Sequence, residues 1–237
     1  MVTPDELRDR LEQIHERIAR AAQRVGRRPT EITLLGASKQ VDPERILLAI
    51  ECGLHHIGEN RVQEAEAKLA SIPALRERAT WHMIGHLQKN KVRRALRLFD
   101  VIQSVDSIRL AQALERVAGE LGRALPVYIE VNVAEEATKF GVRPDDLFPL
   151  AEMLAGCAHL RVDGLMTIPP YTDDPEAARP YFRQLRELLD ELNRRRILPG
   201  EIRGLSMGMS HDFEVAIEEG ATLIRLGTAI WGPRPQP

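Results

Sequence analysis

Apolar positions at Leu7, Leu11, Ile14, Ile18, Ala21 and Val25 recur at steps of three and four residues, the period of a helix with one buried face. Thr3, Pro4 and Glu6 supply its start: a hydroxyl cap, a proline at the first helical position and an acid three residues on that closes a capping box. One long helix, over about residues 3–25 and ending before Gly26, is therefore predicted ahead of everything else. Beyond it the pattern changes. Eight short β-rich runs alternate with helical periodicity, at residues 32–38, 55–57, 81–84, 101–104, 127–132, 161–167, 202–205 and 222–226. They recur roughly every 27 residues, which suits a strand, a helix and two loops. Runs such as ITLLGAS and PVYIEVNV are nearly continuous in apolar residues, as parallel strands covered on both sides are. The pattern predicts an α/β fold: a single (β/α)₈ TIM barrel, over about residues 32–232, with an extra N-terminal helix.

An open doubly wound sheet is the competing arrangement. It calls for a glycine-rich turn after the first strand, and Gly36-Ala37-Ser38-Lys39 has one glycine and no G-x-G-x-x-G. The proline-rich stretch at 169–175 follows a strand directly, so it reads as a long loop at the barrel mouth rather than a boundary. The whole of 1–237 is taken as one domain.

Composition narrows the function. Lys and Arg number 33 against 35 Asp and Glu, a formal charge of −2, and aromatics are 4%. A dedicated nucleic-acid binder would need a basic footprint or stacking platforms, so that class is disfavoured. Cys52 and Cys157, each in an apolar stretch that reads as helix, are too few for a disulfide framework and are taken as reduced, packed thiols. The charged N-terminus is unlike a signal peptide and no apolar run is long enough for a membrane span, which points to a cytoplasmic protein.

In such a barrel, residues past the C-terminal strand ends face a shared mouth. By that rule the mouth collects Lys39, Asn60, His82, His86, Asn132, Met166, Thr167, the loop from Ser206 to Ser210, and Arg225 to Thr228. The last two turns are small-residue loops leading into helices, whose N–H groups can hold a phosphate where these barrels often do. Their glycines and serines equally serve tight turns and helix caps. An isolated lysine at a strand end is usually solvated and, with a pKa near 10.4, a poor nucleophile. Crowded and partly desolvated, Lys39 would instead keep the neutral amine that a Schiff base with a phosphorylated aldehyde requires. Arg225 lies in an apolar strand where an unpaired guanidinium is costly; a carboxylate such as Glu59 or Glu130 pairs with it, or it donates to a cofactor ring nitrogen.

Other constellations carry less. His82 and His86 are four apart, but a strand followed by Gly85 does not put them on one helical face, so no metal is read there. His211-Asp212 beside Ser210 lacks a G-x-S-x-G elbow, which leaves hydrolase chemistry a distant reading. Lys89, Lys91, Arg93, Arg94 and Arg97 read as a solvated basic helix face, or as a weak dock for proteins or RNA.

The segments LLGASKQV, IGENRVQE, WHMIGHLQKNK, GLMTIPP and LSMGMSHDFEVAIEEGATLIRLGTAIWG resemble the YggS/PROSC family of pyridoxal phosphate homeostasis proteins, whose barrel is similar to the N-terminal domain of alanine racemase. The resemblance implies a barrel of fold type III holding pyridoxal 5′-phosphate (PLP) as a Schiff base on Lys39. It implies that Arg225 faces the pyridine nitrogen and that Ser210, Gly227 and Thr228 hold the phosphate, with Ser206 and Gly208 shaping the same loop. Asn60, His82 and Met166 fall near the cofactor, and Gln103 stands where many relatives have histidine, which leaves its role open.

The implied function is a PLP carrier or buffer in intracellular PLP homeostasis, affecting amino-acid pools, with apo PLP-dependent enzymes as partners. A monomer with no membrane or specific nucleic-acid partner, no metal and no catalytic residue of its own is expected. The alternative is a PLP enzyme, such as a racemase of small amino acids. An arginine donor keeps the pyridine nitrogen unprotonated and so makes a weak electron sink. Alanine racemase takes its second acid/base from another domain, which has no counterpart in these residues.

Overall fold

In the computed structural model, which describes residues 3–233, helix α1 (Pro4–Arg24) begins at the expected cap. Thr3 Oγ1 accepts the Glu6 N–H at 3.2 Å, and Glu6 Oε2 accepts the Thr3 N–H at 2.8 Å. Its buried stripe is Leu7, Leu11, Ile14, Ile18, Ala21 and Ala22; Val25, expected on the stripe, is the C-cap and 41% exposed.

The chain continues as β1 (Thr33–Ala37), α2 (Pro43–Glu51), β2 (His56–Glu59), α3 (Val62–Ser71), α4 (Leu75–Arg78), β3 (Thr80–Met83), α5 (Val92–Leu98), β4 (Val101–Val105) and α6 (Ile108–Glu120). There follow β5 (Leu125–Glu130), α7 (Leu147–Ala155), β6 (Leu160–Met166), α8 (Arg179–Arg195), β7 (Gly204–Ser206), α9 (Phe213–Glu218), β8 (Leu223–Leu226) and α10 (Thr228–Trp231). Every strand pairs in parallel with its neighbour in chain order, and β8 returns to β1 to close an eight-stranded barrel. Helix α1 packs on α9, α10 and α2, beside that closing seam. Arg17 forks onto Glu214 at 3.2 and 3.3 Å, and Arg24 reaches Glu218 at 2.6 Å.

Two wall glycines reveal the faces of the barrel. A side chain at Gly36 would strike Leu54 and crowd Trp231 of the outer layer, so Gly36 faces the helices. One at Gly58 would strike Leu35 and Ile84, which cluster with Leu223 in the lumen. Alternation then assigns lumen positions strand by strand. The outer core, with Ile57, Trp81 and Phe182 fully buried, supplies most of the stability, at about 1.5–3 kcal/mol for each large apolar side chain buried.

Several boundaries differ from the sequence reading. Strand β7 starts at Gly204 rather than 202, because the Asn193 side chain takes both backbone groups of Ile202, at 2.7 and 3.0 Å, out of the sheet. Cys52 and Cys157 lie just past the ends of α2 and α7, half-buried and free, not within helices. The basic run is a 3-10 turn at Lys89–Lys91 followed by α5, whose arginines are exposed, Arg93 paired with Glu120 and Arg94 with Glu66 on the surface. Among the described residues no helix is long and apolar enough to cross a membrane.

Candidate functional site

Lumen positions of a parallel barrel are usually filled by branched apolar side chains. Here one circuit of them is polar. Arg225 Nη1 donates to Ser206 Oγ at 2.6 Å, and Ser206 Oγ lies 2.6 Å from Gln103 Oε1. Gln103 Nε2 lies 2.9 Å from His82 Nδ1, and His82 Nε2 lies 3.0 Å from His56 Nδ1. The Gln103 to Ser206 contact joins β4 to β7, so it crosses the lumen. Leu35 fills the remaining gap, in register with His56 on one side and Arg225 on the other.

A guanidinium can only donate, and that fixes every link. Ser206 accepts from Arg225 and so donates to Gln103 Oε1; the Gln103 amide N–H then donates to His82 Nδ1; His82 is left with its proton on Nε2, donated to His56. The network holds His82 neutral, and burial agrees, pushing its pKa from 6.5 down to about 3. Burial also lowers His56. Arg225 is lowered to about 10 by burial, against the pull of Glu130 and Asp212. The carboxylate expected beside Arg225 is not what grips it: its nitrogens are held by Ser206 and by the Thr167 carbonyl, at 2.8 Å. Glu59 is paired instead with Lys68, at 2.6 Å.

The second element of the site is the seam between β8 and β1. Lys39 does not end β1 but stands two residues beyond it, half-buried in the turn that follows. With Gly227 and Thr228 it lines a small cavity of about 30 Å³. Ser210 Oγ accepts the N–H groups of Gly227 and Ala229, at 3.1 and 3.2 Å, which ties the β7 loop to the start of α10. Gly208 has φ +94°, and a Cβ there would sit 2.6 Å from Ala216 Cβ and 3.0 Å from Phe213 Cα, so both backbone and packing require glycine. Its carbonyl accepts the Arg225 N–H at 2.9 Å, joining this loop to the strand of the buried arginine. Hydroxyls, backbone N–H groups and an amine gathered in this way suit a phosphorylated aldehyde.

The third element is the open mouth. A cavity of about 580 Å³ is lined by Asn60, Met83, Lys91, Glu130 and Phe140, among others. His86 stacks on Phe140, centroids 4.0 Å apart, and lies 3.0 Å from Asp106. Glu130, at the end of β5, is 6% exposed, and its Oε2 has no hydrogen-bond partner. Burial, with Asp106 nearby, pushes its pKa up to about 7.

The structure thus brings Lys39, Gly227 and Thr228 together at one cavity and links Ser206, His82 and Arg225 through the lumen. Met166, fully buried, pairs in register with both Ser206 and Glu130. Asn60 opens on the mouth cavity, apart from the seam. Asn132 turns to its own loop, holding Glu136 at 2.8 and 3.3 Å. Asp212 accepts the Met209 N–H at 2.6 Å while Ser210 faces Gly227, so Ser210, His211 and Asp212 form no triad. His56 is missed by the sequence reading, which names Gln103 without a role and Glu130 only as a partner for Arg225. Their signal is a polar residue inside a strand at a lumen position.

A closed parallel barrel of eight strands alternating with helices, with a lysine after its first strand and a buried arginine in its last, has the fold of a class, the barrels of PLP fold type III. The chain belongs to the alanine racemase N-terminal domain family, whose match spans residues 10–235. It is 48% identical over 226 residues to the pyridoxal phosphate homeostasis protein of Aquifex aeolicus, covering 95% of this chain and 97% of that one. A Bifidobacterium adolescentis crystal structure matches it with a TM-score of 0.89 at 36% identity, covering 96% of this chain and 95% of that one. PipY of Synechococcus elongatus PCC7942, solved with PLP bound, matches with a TM-score of 0.83 at 36% identity, covering 95% and 100%.

Proposed function

We propose that this protein binds PLP reversibly on Lys39 and serves PLP homeostasis in the cytoplasm, as a carrier or buffer that affects amino-acid pools. One observation supports the reading: Lys39 shares a cavity with Gly227 and Thr228, so the lysine stands beside the turn that this reading gives the phosphate. The name of the Aquifex relative and the PLP in PipY support it. When bound, PLP supplies an aldehyde that exchanges between primary amines. Lys39 would be the amine that holds this aldehyde, and an acceptor amine, such as that of an apo PLP-dependent enzyme, would take the aldehyde carbon over and release the lysine as a free amine. Ser210, Gly227 and Thr228 hold the phosphate, and Ser206 and Gly208 fix the loop. Arg225 donates to the ring nitrogen, its direction set by Ser206, Gln103 and His82. Asn60 and Met166 flank the approach. The helix at 3–25 and the barrel at 32–232 act as one unit, a monomer, in this reading.

Borohydride reduction of protein mixed with PLP tests it, since it fixes the ligand on the amine that holds it. A mass increment on the Lys39 peptide is expected, together with loss of the visible PLP absorption in Lys39→Ala. A Lys39→Ala protein with unchanged absorption defeats the assignment.

One observation favours turnover instead: Glu130, a buried carboxyl at the mouth with a pKa near 7, could move a proton at a bound amino acid. Against it, an arginine cannot protonate the ring nitrogen, so the ring draws electrons weakly. Chiral analysis of amino acids incubated with the PLP-loaded protein separates the two. The carrier reading predicts a rate far below the enzyme median of about 10 s⁻¹.

A further inference from the structure

Outside the barrel wall, behind Lys39, lies a buried ionic group that the cofactor site does not use. Lys68 on α3, its side chain 8% exposed, meets Glu59 Oε1 at 2.6 Å and Glu64 Oε1 at 2.8 Å; the Glu59 side chain is fully buried. Burying the Lys68 and Glu59 charges is costly, with Glu64 26% exposed at the edge, and replacing such a pair by packed apolar residues is often neutral or stabilising. Stability alone therefore does not account for it. What the group does uniquely is grip the backbone on both sides of Lys39. Lys68 Nζ donates to the Ser38 carbonyl at 2.6 Å, and that carbonyl belongs to the peptide entering Lys39. Glu64 Oε1 accepts the Gln40 N–H at 2.5 Å, and that N–H belongs to the peptide leaving Lys39. Glu59 adds the Ser38 hydroxyl, at 2.5 Å. The turn so held is strained, because Gln40 has φ +61° without being glycine.

We propose that Lys68, Glu59 and Glu64 are positioning residues that clamp both peptide groups of Lys39 and so aim its amine toward the cavity that it shares with Gly227 and Thr228. The proposal rests on the reading of Lys39 as the PLP-binding lysine. It requires that loosening the clamp weaken capture of an aldehyde more than recognition of a phosphate, because only the first depends on where the amine points.

Lys68→Met would strand a buried carboxylate at Glu59, so Glu64 is the better probe: it is the outermost member, and its loss leaves the Lys68 to Glu59 pair intact. Glu64→Ala and Glu64→Gln are compared with the unaltered protein in titrations with PLP and with pyridoxine 5′-phosphate, which has the phosphate and ring but no aldehyde. Glu64→Ala should bind PLP about 10-fold more weakly, with slower borohydride trapping on Lys39, and bind pyridoxine 5′-phosphate unchanged. Glu64→Gln keeps an acceptor oxygen for the Gln40 N–H and should recover most of the PLP affinity. Unchanged PLP binding in Glu64→Ala, or equal loss of both ligands, overturns the clamp while leaving the PLP reading intact. If the unaltered protein is not trapped on Lys39, the PLP reading fails and the clamp with it.

Discussion

Arg225 Nη1 and Ser206 Oγ stand 2.6 Å apart in the lumen, and that single oxygen also contacts Gln103, so one hydroxyl sets the direction of the whole polar circuit. It is both acceptor and donor, a part that no apolar side chain of similar size can play.

Ser206→Ala should therefore cost more than an average hydrogen bond. It leaves a guanidinium N–H and an amide oxygen buried without partners, at about 1–3 kcal/mol for each unsatisfied group. In urea titrations the midpoint should fall. A double-mutant cycle with Gln103→Leu should give a coupling of at least about 0.5 kcal/mol. Strict additivity of the two changes would show that the circuit does not act as a unit.

Two buried titrating groups, His82 and Glu130, drive stability in opposite directions with pH. His82 is lowered from 6.5 to about 3, so the unfolded chain takes up a proton that the folded one refuses; stability is full above pH 6.5 and lost as pH falls toward 3. Glu130 is raised from 4.5 to about 7, so the folded chain keeps a proton that the unfolded one has released; stability is full below pH 4.5 and lost as pH rises to 7. Glu130→Gln removes only the second effect. Across that window the unaltered protein should lose stability relative to the variant by about 1.4 kcal/mol per pH unit. Parallel stability curves for the two proteins would contradict the buried, protonated carboxyl.

Gly208→Ala places a methyl group where Ala216 and Phe213 already stand and forces a side chain onto φ +94°. The expected cost is about 2–4 kcal/mol from strain and overpacking together. Because the Gly208 carbonyl and the Arg225 N–H are bonded, the loop should also shift, and PLP affinity should fall by about 10-fold at temperatures where the variant stays folded. Thermal melts and PLP titration report the two effects separately.

Much of this was legible in the sequence because it is local. The Thr3, Pro4 and Glu6 cap, the stripe from Leu7 to Ala21 and the eight apolar runs each depend on neighbours within a few residues. The displaced start of β7 was not, since Ile202 is captured by Asn193 across a turn whose geometry the pattern does not encode. Gln103 and Ser206 are likewise far apart in the chain, and only the barrel brings them to 2.6 Å. The same holds for the carboxylates. Glu59 and Glu130 both looked able to neutralise Arg225, but Glu59 faces the outer layer, where Lys68 waits, and only Glu130 shares the interior with the guanidinium. Chemistry-bearing residues were visible one by one; their partners depend on closure of the sheet.

That closure joins β1 to β8. Lys39 leaves the ribosome well before Gly227 and Thr228, and α1 well before α9 and α10, on which it packs. Until those helices are made, much of the oily stripe of α1 is uncovered, and in the proposed reading Lys39 stands without its phosphate anchor. Capture of the vitamin on Lys39, as proposed, thus waits for β8, and a product terminated before that strand should sequester none of it.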